Sequence, residues 1–221
     1  MSGSRKATVL ISGTGSNLQA LIDAIAAGRM ELEINHVISN VADAKGLERA
    51  DKAGIRTSVL EHGRFTDRDD FDAALALLMA AGNPDLVILA GFMRIIGTPV
   101  LEPFKGRMIN LHPALLPRYR GINTYQRAID AGDQEHGASI HFVTAELDGG
   151  PVISQVVIPI LGDDSAASLA ARLGPKEHEL LVATVEFFTR HEVECDGGAI
   201  KVDGKTVKEP YLLQTDGCLG V

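Results

Sequence analysis

Three apolar runs in the amino-terminal part of the chain, residues 8–12, 34–39 and 85–90, are rich in β-branched residues and too short for core helices. They read as strands buried on both faces. Amphipathic segments stand between them. Leu18, Leu21, Ile22 and Ile25 recur at helical spacing with Gly28 placed to end the turn. Residues 42–53 run to Gly54, and residues 66–81 carry Phe71, Leu75, Leu78 and Met79 on one face before Gly82. Strand, short loop and helix, repeated with brief connections, favour right-handed crossovers that build a mainly parallel twisted sheet with helices on both faces. The expected fold class is α/β.

The carboxy-terminal half keeps strands but changes their order. Residues 107–112, 138–144 and 152–160 are extended candidates, and residues 123–131 and 165–190 are helical candidates. The link Ala145-Glu146-Leu147-Asp148-Gly149-Gly150-Pro151 is short enough for an antiparallel return, so antiparallel strands belong to this half. Beyond Arg190, two short runs flank Asp203-Gly204, a hairpin turn signal. With no internal repeat, linker or low-complexity tract, residues 1–221 are expected to form a single domain.

Composition narrows the function classes. A chain of 221 residues, 45% hydrophobic and 23% charged, is neither disordered, collagen-like nor a disulfide scaffold. Its 21 basic and 29 acidic residues leave a net charge of −8, which argues against a broad nucleic-acid or anionic-membrane surface but leaves room for a local basic pocket. Cys195 and Cys218 have no metal-ligand spacing with a histidine, and the seven histidines form no His-x-His or His-x-x-x-His pair, so no metal is expected. The first apolar run, broken by Ser12 and Gly13, is too short for a signal peptide or a membrane span, so the cytoplasm is the expected location.

Chemistry-bearing residues cluster in a few places. The loop Gly13-Thr14-Gly15-Ser16-Asn17 follows the first strand and opens the first helix, where unpaired N–H groups and the helix dipole favour an anion. Leu18 stands where a dinucleotide fingerprint needs its third glycine, and no lysine completes a P-loop. A small phosphate cradle of Gly15, Ser16 and Asn17 remains, the alternative being a plain turn with Ser or Asn capping the helix. Asn110 and His112 alternate on one strand and so project to the same side at its carboxyl end, where open α/β sheets place ligands. An amide donor beside an imidazole suits developing charge on a carbonyl oxygen; a hydrogen-bonded strand-end histidine is the structural alternative. Asp148, in its Gly-Gly turn, could pair with His112 and raise its pKa, or could simply shape the turn. Phe92, Met93, Arg94, Ile95 and Ile96 offer an apolar wall with one arginine, suited to a flat ligand with a carboxylate tail or merely exposed over the core. Arg118-Tyr119-Arg120-Gly121 is a basic aromatic loop that could contact phosphate or nucleic acid, although two arginines in an acidic chain are weak evidence for either.

Four stretches taken together resemble a known family: Ile11 to Ala20 around Ser12-Gly13-Thr14-Gly15-Ser16-Asn17; Ala90-Gly91-Phe92-Met93-Arg94-Ile95; Asn110-Leu111-His112-Pro113-Ala114-Leu115-Leu116-Pro117; and Phe142 through Leu147-Asp148-Gly149-Gly150-Pro151. Their order and wording are similar to phosphoribosylglycinamide formyltransferases of the folate-dependent formyltransferase family, over about residues 9–178. The resemblance implies a Rossmann-like formyltransferase fold and transfer of a formyl group from 10-formyltetrahydrofolate to 5-phosphoribosylglycinamide in purine synthesis. It implies Asn110, His112 and Asp148 as the catalytic set. Gly15, Ser16, Asn17 and Glu177 would bind the ribonucleotide, and Arg68, Met93, Arg94, Ile95, Ile96, Asn110, Val143 and Thr144 the folate. On this reading residues 1–100 form a phosphate-binding half, 101–190 a catalytic and folate-binding half, and 191–221 a hairpin and tail. The implied partners are the two small molecules, with no nucleic acid, membrane or metal; a homodimer is left open. Leu173-Gly174-Pro175 departs from the family pattern, which has a polar residue there.

Two other readings compete. A 10-formyltetrahydrofolate hydrolase uses water as acceptor and carries an extra amino-terminal module, whereas strand one is expected here by about residue 8. A non-catalytic nucleotide-binding module would need no Asn110, His112 and Asp148 together. Length also disfavours the tRNA formyltransferases of the same group, which have a further carboxy-terminal domain.

Overall fold

The computed structural model describes residues 4–196 and 198–220, so Met1, Ser2, Gly3, Gly197 and Val221, which the readings of the two termini include, lie outside the described residues. The chain divides into two compact units, Met1–Asn110 and Leu111–Val221.

In the first unit the expected rhythm is present. Strands β1 (Arg5–Ile11), β2 (Leu32–Ser39), β3 (Thr57–Val59) and β4 (Leu86–Leu89), with the start of β5 (Met108–His112), are ordered β5-β4-β1-β2-β3 and pair in parallel. Val9, Leu10, Ile11, Val37, Ile38, Val87 and Ile88 are fully buried, which is why their runs are continuous rather than alternating. Helix α1 (Ser16–Ala26) buries Leu18, Leu21 and Ala24, so its inward stripe runs through Ala24 beside the expected Ile25. Helix α2 (Lys45–Lys52) is shorter than the 42–53 reading. Helix α3 (Arg68–Ala80) starts at Asp67, whose side chain accepts from the Asp70 N–H. The residue that turns left-handed after α3 is Asn83, φ 43°, not Gly82, which lies close to Asn35 and Thr8 instead. The short helix α4 (Thr98–Leu101) and strand β3 have too few residues for periodicity to announce them.

The second unit contains the end of β5, helix α5 (Thr124–Asp130), strands β6 (Glu135–Phe142) and β7 (Val152–Pro159), and helix α6 (Ala166–Arg190). Strands β6 and β7 are antiparallel, as the short link requires. Ser165 caps α6 in a reciprocal capping box with Ser168, and the helix runs through Pro175 for 25 residues, so the departure at Gly174-Pro175 does not end it. Beyond α6, β8 (Val193–Asp196), β9 (Ala199–Val202) and β10 (Lys205–Val207) form a three-stranded antiparallel sheet. Asp203 and Gly204 both have positive φ, 50° and 76°, which is the hairpin geometry the dipeptide favours. Strand β11 (Tyr211–Leu213) then pairs in parallel with β7, and β12 (Leu219–Gly220) pairs antiparallel with β11. The α/β class, the mainly parallel sheet and the antiparallel carboxy-terminal strands all stand as expected.

Gly137 shows how tightly β6 and β7 approach, because a Cβ there would be driven into the Val156 carbonyl and close to Leu115. Gly137→Ala is expected to cost about 1–3 kcal/mol of stability through forced backbone displacement. Urea denaturation checks this, and an unchanged midpoint would mean the strands can part without loss.

Candidate active site

The second unit builds its candidate reactive centre around one carboxylate. Asp148 sits at φ 47°, a left-handed conformation that a short polar side chain tolerates. The glycines that follow have little room: a Cβ on Gly149 would strike the Glu146 side chain, and one on Gly150 the Phe142 carbonyl. The turn therefore holds the Asp148 carboxylate inward. Its Oδ2 accepts from the Gly121 N–H at 2.9 Å and lies 3.4 Å from His112 Nδ1, and its Oδ1 lies 3.6 Å from His141 Nε2. Burial pushes this carboxyl up, but the His141 ring, the Gly121 N–H and His112 together outweigh it and hold Asp148 below its ordinary value.

His112, 5% exposed, is thus paired with Asp148 as expected, but its pKa moves the other way. Desolvation is the largest influence and lowers it. The Tyr119 carbonyl, 3.0 Å from Nε2, and the Asp148 charge raise it without overcoming burial. Asp148 does raise the histidine, as expected, but the expected net rise is corrected: burial outweighs it, so at neutral pH the resting imidazole is neutral. Each ring nitrogen nevertheless faces an oxygen, so a proton that arrives on the ring finds an acceptor on both sides.

Two supports escape sequence reasoning. His141 is 2% exposed, and a register shift between Ile140 and His141 marks where β6 is irregular. Its place two residues after Ser139, on the same side of an ideal strand, is the only signal the sequence carries. Ser139 itself pins the loop after β5: its hydroxyl accepts from Leu116 N–H and donates to the Ala114 carbonyl, while Gln155 donates to it and to the Leu116 carbonyl. Arg118 and Arg120, read as candidates for phosphate, are instead in ion pairs with Asp133 and Glu146 and brace the loop. Asn110 precedes His112 by two residues on β5. Glu177 lies on α6 in a separate contact, accepting from the Tyr125 hydroxyl at 3.0 Å, and Val143 and Thr144 follow β6 half-buried.

In the first unit the glycine loop is a cradle made of backbone. Gly15 is the N-cap of α1, at φ 69° and ψ 28°, with no side-chain cap, which sets aside the alternative of Ser or Asn capping. A Cβ on Gly15 would collide with the Gly46 backbone, and one on Gly46 would come 3.1 Å from Gly15 Cα. Gly46 N–H donates to the Gly13 carbonyl at 3.1 Å, and Arg49 donates to the Thr14 carbonyl at 2.9 Å. The loop is held from behind, leaving the α1 N-terminus as an anion-favouring end. Asn17 Oδ1 is buried without a hydrogen-bond partner, so a donor from a ligand would satisfy it. Arg68 donates to the Ile95 carbonyl at 3.0 Å, Arg94 stacks 4.8 Å over the Phe71 ring, and Met93 and Ile95 are exposed while Ile96 is buried. Among the described residues no group of three His, Cys, Asp or Glu could hold a metal ion, and no helix is long and apolar enough to cross a membrane.

A neutral histidine and a buried carboxylate at the carboxyl end of a strand in an α/β fold are the equipment of a group-transfer or hydrolytic enzyme. Residues 5–185 match the family model described as Formyl transferase, and the chain belongs to that family. It is 44% identical over 197 residues to the phosphoribosylglycinamide formyltransferase of Escherichia coli (strain K12), covering 89% of this chain and 93% of that protein. It is 39% identical over 189 residues to the trifunctional purine biosynthetic protein adenosine-3 of Homo sapiens, covering 86% of this chain and 19% of that protein. The solved structure of the phosphoribosylglycinamide formyltransferase from Coxiella burnetii superposes with a TM-score of 0.88 at 42% identity, over 92% of this chain and 96% of that one.

The direction of the His112 shift is testable. Asp148 raises its pKa, so Asp148→Asn should lower it further, which NMR titration of the His112 ring checks. A ring pKa that rises in the variant would overturn the account.

Proposed function

We propose that this chain transfers a formyl group from 10-formyltetrahydrofolate to the amine of 5-phosphoribosylglycinamide, giving formylglycinamide ribonucleotide and tetrahydrofolate. The observation that carries the reading is the buried His112–Asp148 pair two residues along β5 from Asn110, inside a chain of the formyl transferase family. The relatives' names supply the acceptor, and a cytoplasmic location follows from that role in purine synthesis.

The amine attacks the formyl carbon directly, and the formyl oxygen gains charge as the tetrahedral intermediate forms. The Asn110 amide and the His112 ring stabilise that oxygen. Donors preorganised for such an oxyanion are worth about 10²–10³ in rate each. His112 is neutral before the reaction, takes up the proton that the attacking amine releases as the tetrahedral intermediate forms, and passes it on as the intermediate collapses; Asp148 and the Tyr119 carbonyl, already placed against its two nitrogens, hold the imidazolium in between. One proton leaves the attacking amine and ends on the folate nitrogen as the carbon–nitrogen bond to the folate breaks. Asp148 holds the ring and assists that transfer, and no covalent enzyme intermediate is required. Gly15, Ser16 and Asn17 hold the ribonucleotide phosphate, and Glu177 contacts the same substrate. Arg68, Met93, Arg94, Ile95 and Ile96, with Asn110, Val143 and Thr144, hold the folate. Ile96 acts from beneath, being buried, while Met93 and Ile95 offer exposed apolar surface.

Purified protein given both substrates should release tetrahydrofolate only when the ribonucleotide is present. Release that ignores the ribonucleotide would identify a hydrolase, and binding without release a non-catalytic module. His112→Ala should lower turnover by about 10²–10⁴ with little change in either substrate's affinity; wild-type turnover in that variant would remove the assignment.

A further inference from the structure

Glu177 has one hydrogen-bond donor among the described residues, the hydroxyl of Tyr125, 3.0 Å from Oε1. Tyr125 stands near the start of α5, and its ring lies 5.1 Å from that of His136 at a tilt of 58°, a contact that limits where the hydroxyl can point. Burial is the larger influence on Glu177 and pushes its carboxyl above the ordinary value, while the Tyr125 hydrogen bond acts to lower it. Tyr125 is itself pushed up, by burial first and then by Glu177, so its hydroxyl remains a donor across the working pH range.

Other ionisable groups on the elements packed against α6 are engaged elsewhere or carry no resolved influence on Glu177. Strands β7 and β12 carry no titratable side chain. From β6, Glu135 is exposed, His136 lies against the Tyr125 ring and His141 against Asp148. From α5, Arg127 donates to the Arg120 and Ile122 carbonyls and Asp130 accepts from Gln126. From β11, Tyr211 lies against Phe187. On α6 itself Arg172 pairs with Asp164, Lys176 with Glu179 and Arg190 with Glu186, and His178 is the adjoining residue.

We propose that Tyr125 is a positioning residue for ribonucleotide recognition: its hydroxyl holds one oxygen of the Glu177 carboxyl group, orienting it so that its other oxygen can accept from a hydroxyl or amine of the ribonucleotide. This rests on the reading of Glu177 as a ribonucleotide contact. Without the hydroxyl, the carboxyl keeps its desolvation and loses its donor, so it protonates at higher pH. A protonated carboxyl is a weaker acceptor and carries no charge for an amine.

The test is steady-state kinetics of Tyr125→Phe and Glu177→Gln beside the parent enzyme between about pH 6 and 8.5, with circular dichroism to confirm folding. For Tyr125→Phe, loss of a hydrogen bond to a charged group should raise the ribonucleotide KM about tenfold near pH 6. The rise should be larger at the acidic end of this range than at the alkaline end, while the folate KM stays within about twofold and kcat changes less than the ribonucleotide KM. For Glu177→Gln, which cannot titrate, the ribonucleotide KM should be raised at every pH. If Glu177→Gln raises it but Tyr125→Phe leaves it unchanged, the Glu177 reading stands and the role of Tyr125 falls. If Tyr125→Phe lowers kcat and weakens both substrates alike at all pH values, Tyr125 is only structural and the proposal is overturned. If Glu177→Gln leaves the ribonucleotide KM unchanged, the Glu177 reading falls and the proposal falls with it.

Discussion

A carboxylate removed from water has to be given hydrogen bonds or opposite charge, and around Asp148 that requirement organises the second unit. Three elements converge to meet it: the end of β5 through His112, β6 through His141, and the loop before α5 through the Gly121 N–H. Gly149 and Gly150 are the conformational counterpart, since a side chain at either would collide with the chain around it. The Ser139 and Gln155 hydrogen bonds then hold the loop after β5 in place, and the Arg118–Asp133 and Arg120–Glu146 pairs brace it from the outside.

The sign of the histidine shift follows from the same burial. A charged imidazole gains Asp148 and the Tyr119 carbonyl but loses its hydration, and the loss is larger. The resting site is therefore neutral at the ring and charged at the carboxylate. An imidazolium becomes favourable only when a further negative charge develops beside it, as in the proposed transfer. An arrangement whose acceptors are already placed needs little reorganisation at that moment.

The first unit carries the proposed phosphate site with few charges. The chain carries a net −8, so its overall field does not attract an anion. The glycine loop offers backbone N–H groups at the start of α1, shaped by the close approach of Gly15 and Gly46 and held by Arg49 on the Thr14 carbonyl. Glycine at both positions is a steric need, because a Cβ on either would meet the other's backbone.

Much of this was legible in the linear chain. The buried strand runs, the stripe beginning Leu18 and Leu21, the Asp203-Gly204 turn and the anion-favouring loop depend on local periodicity and on glycine's conformational range, which the order of residues specifies by itself. The same holds for Asn110 and His112, two apart on one strand. Other features were not legible: His141 against Asp148, the Ser139 and Gln155 hydrogen bonds, Tyr125 on Glu177, and the pairing of Arg118 and Arg120 with carboxylates. These contacts join residues distant in sequence, and no periodicity records them. The reversed His112 shift belongs with them. Sequence could name the histidine and its partner, but whether the partner's charge or the loss of water prevails depends on how deeply the folded chain buries the ring, and only the tertiary structure decides that.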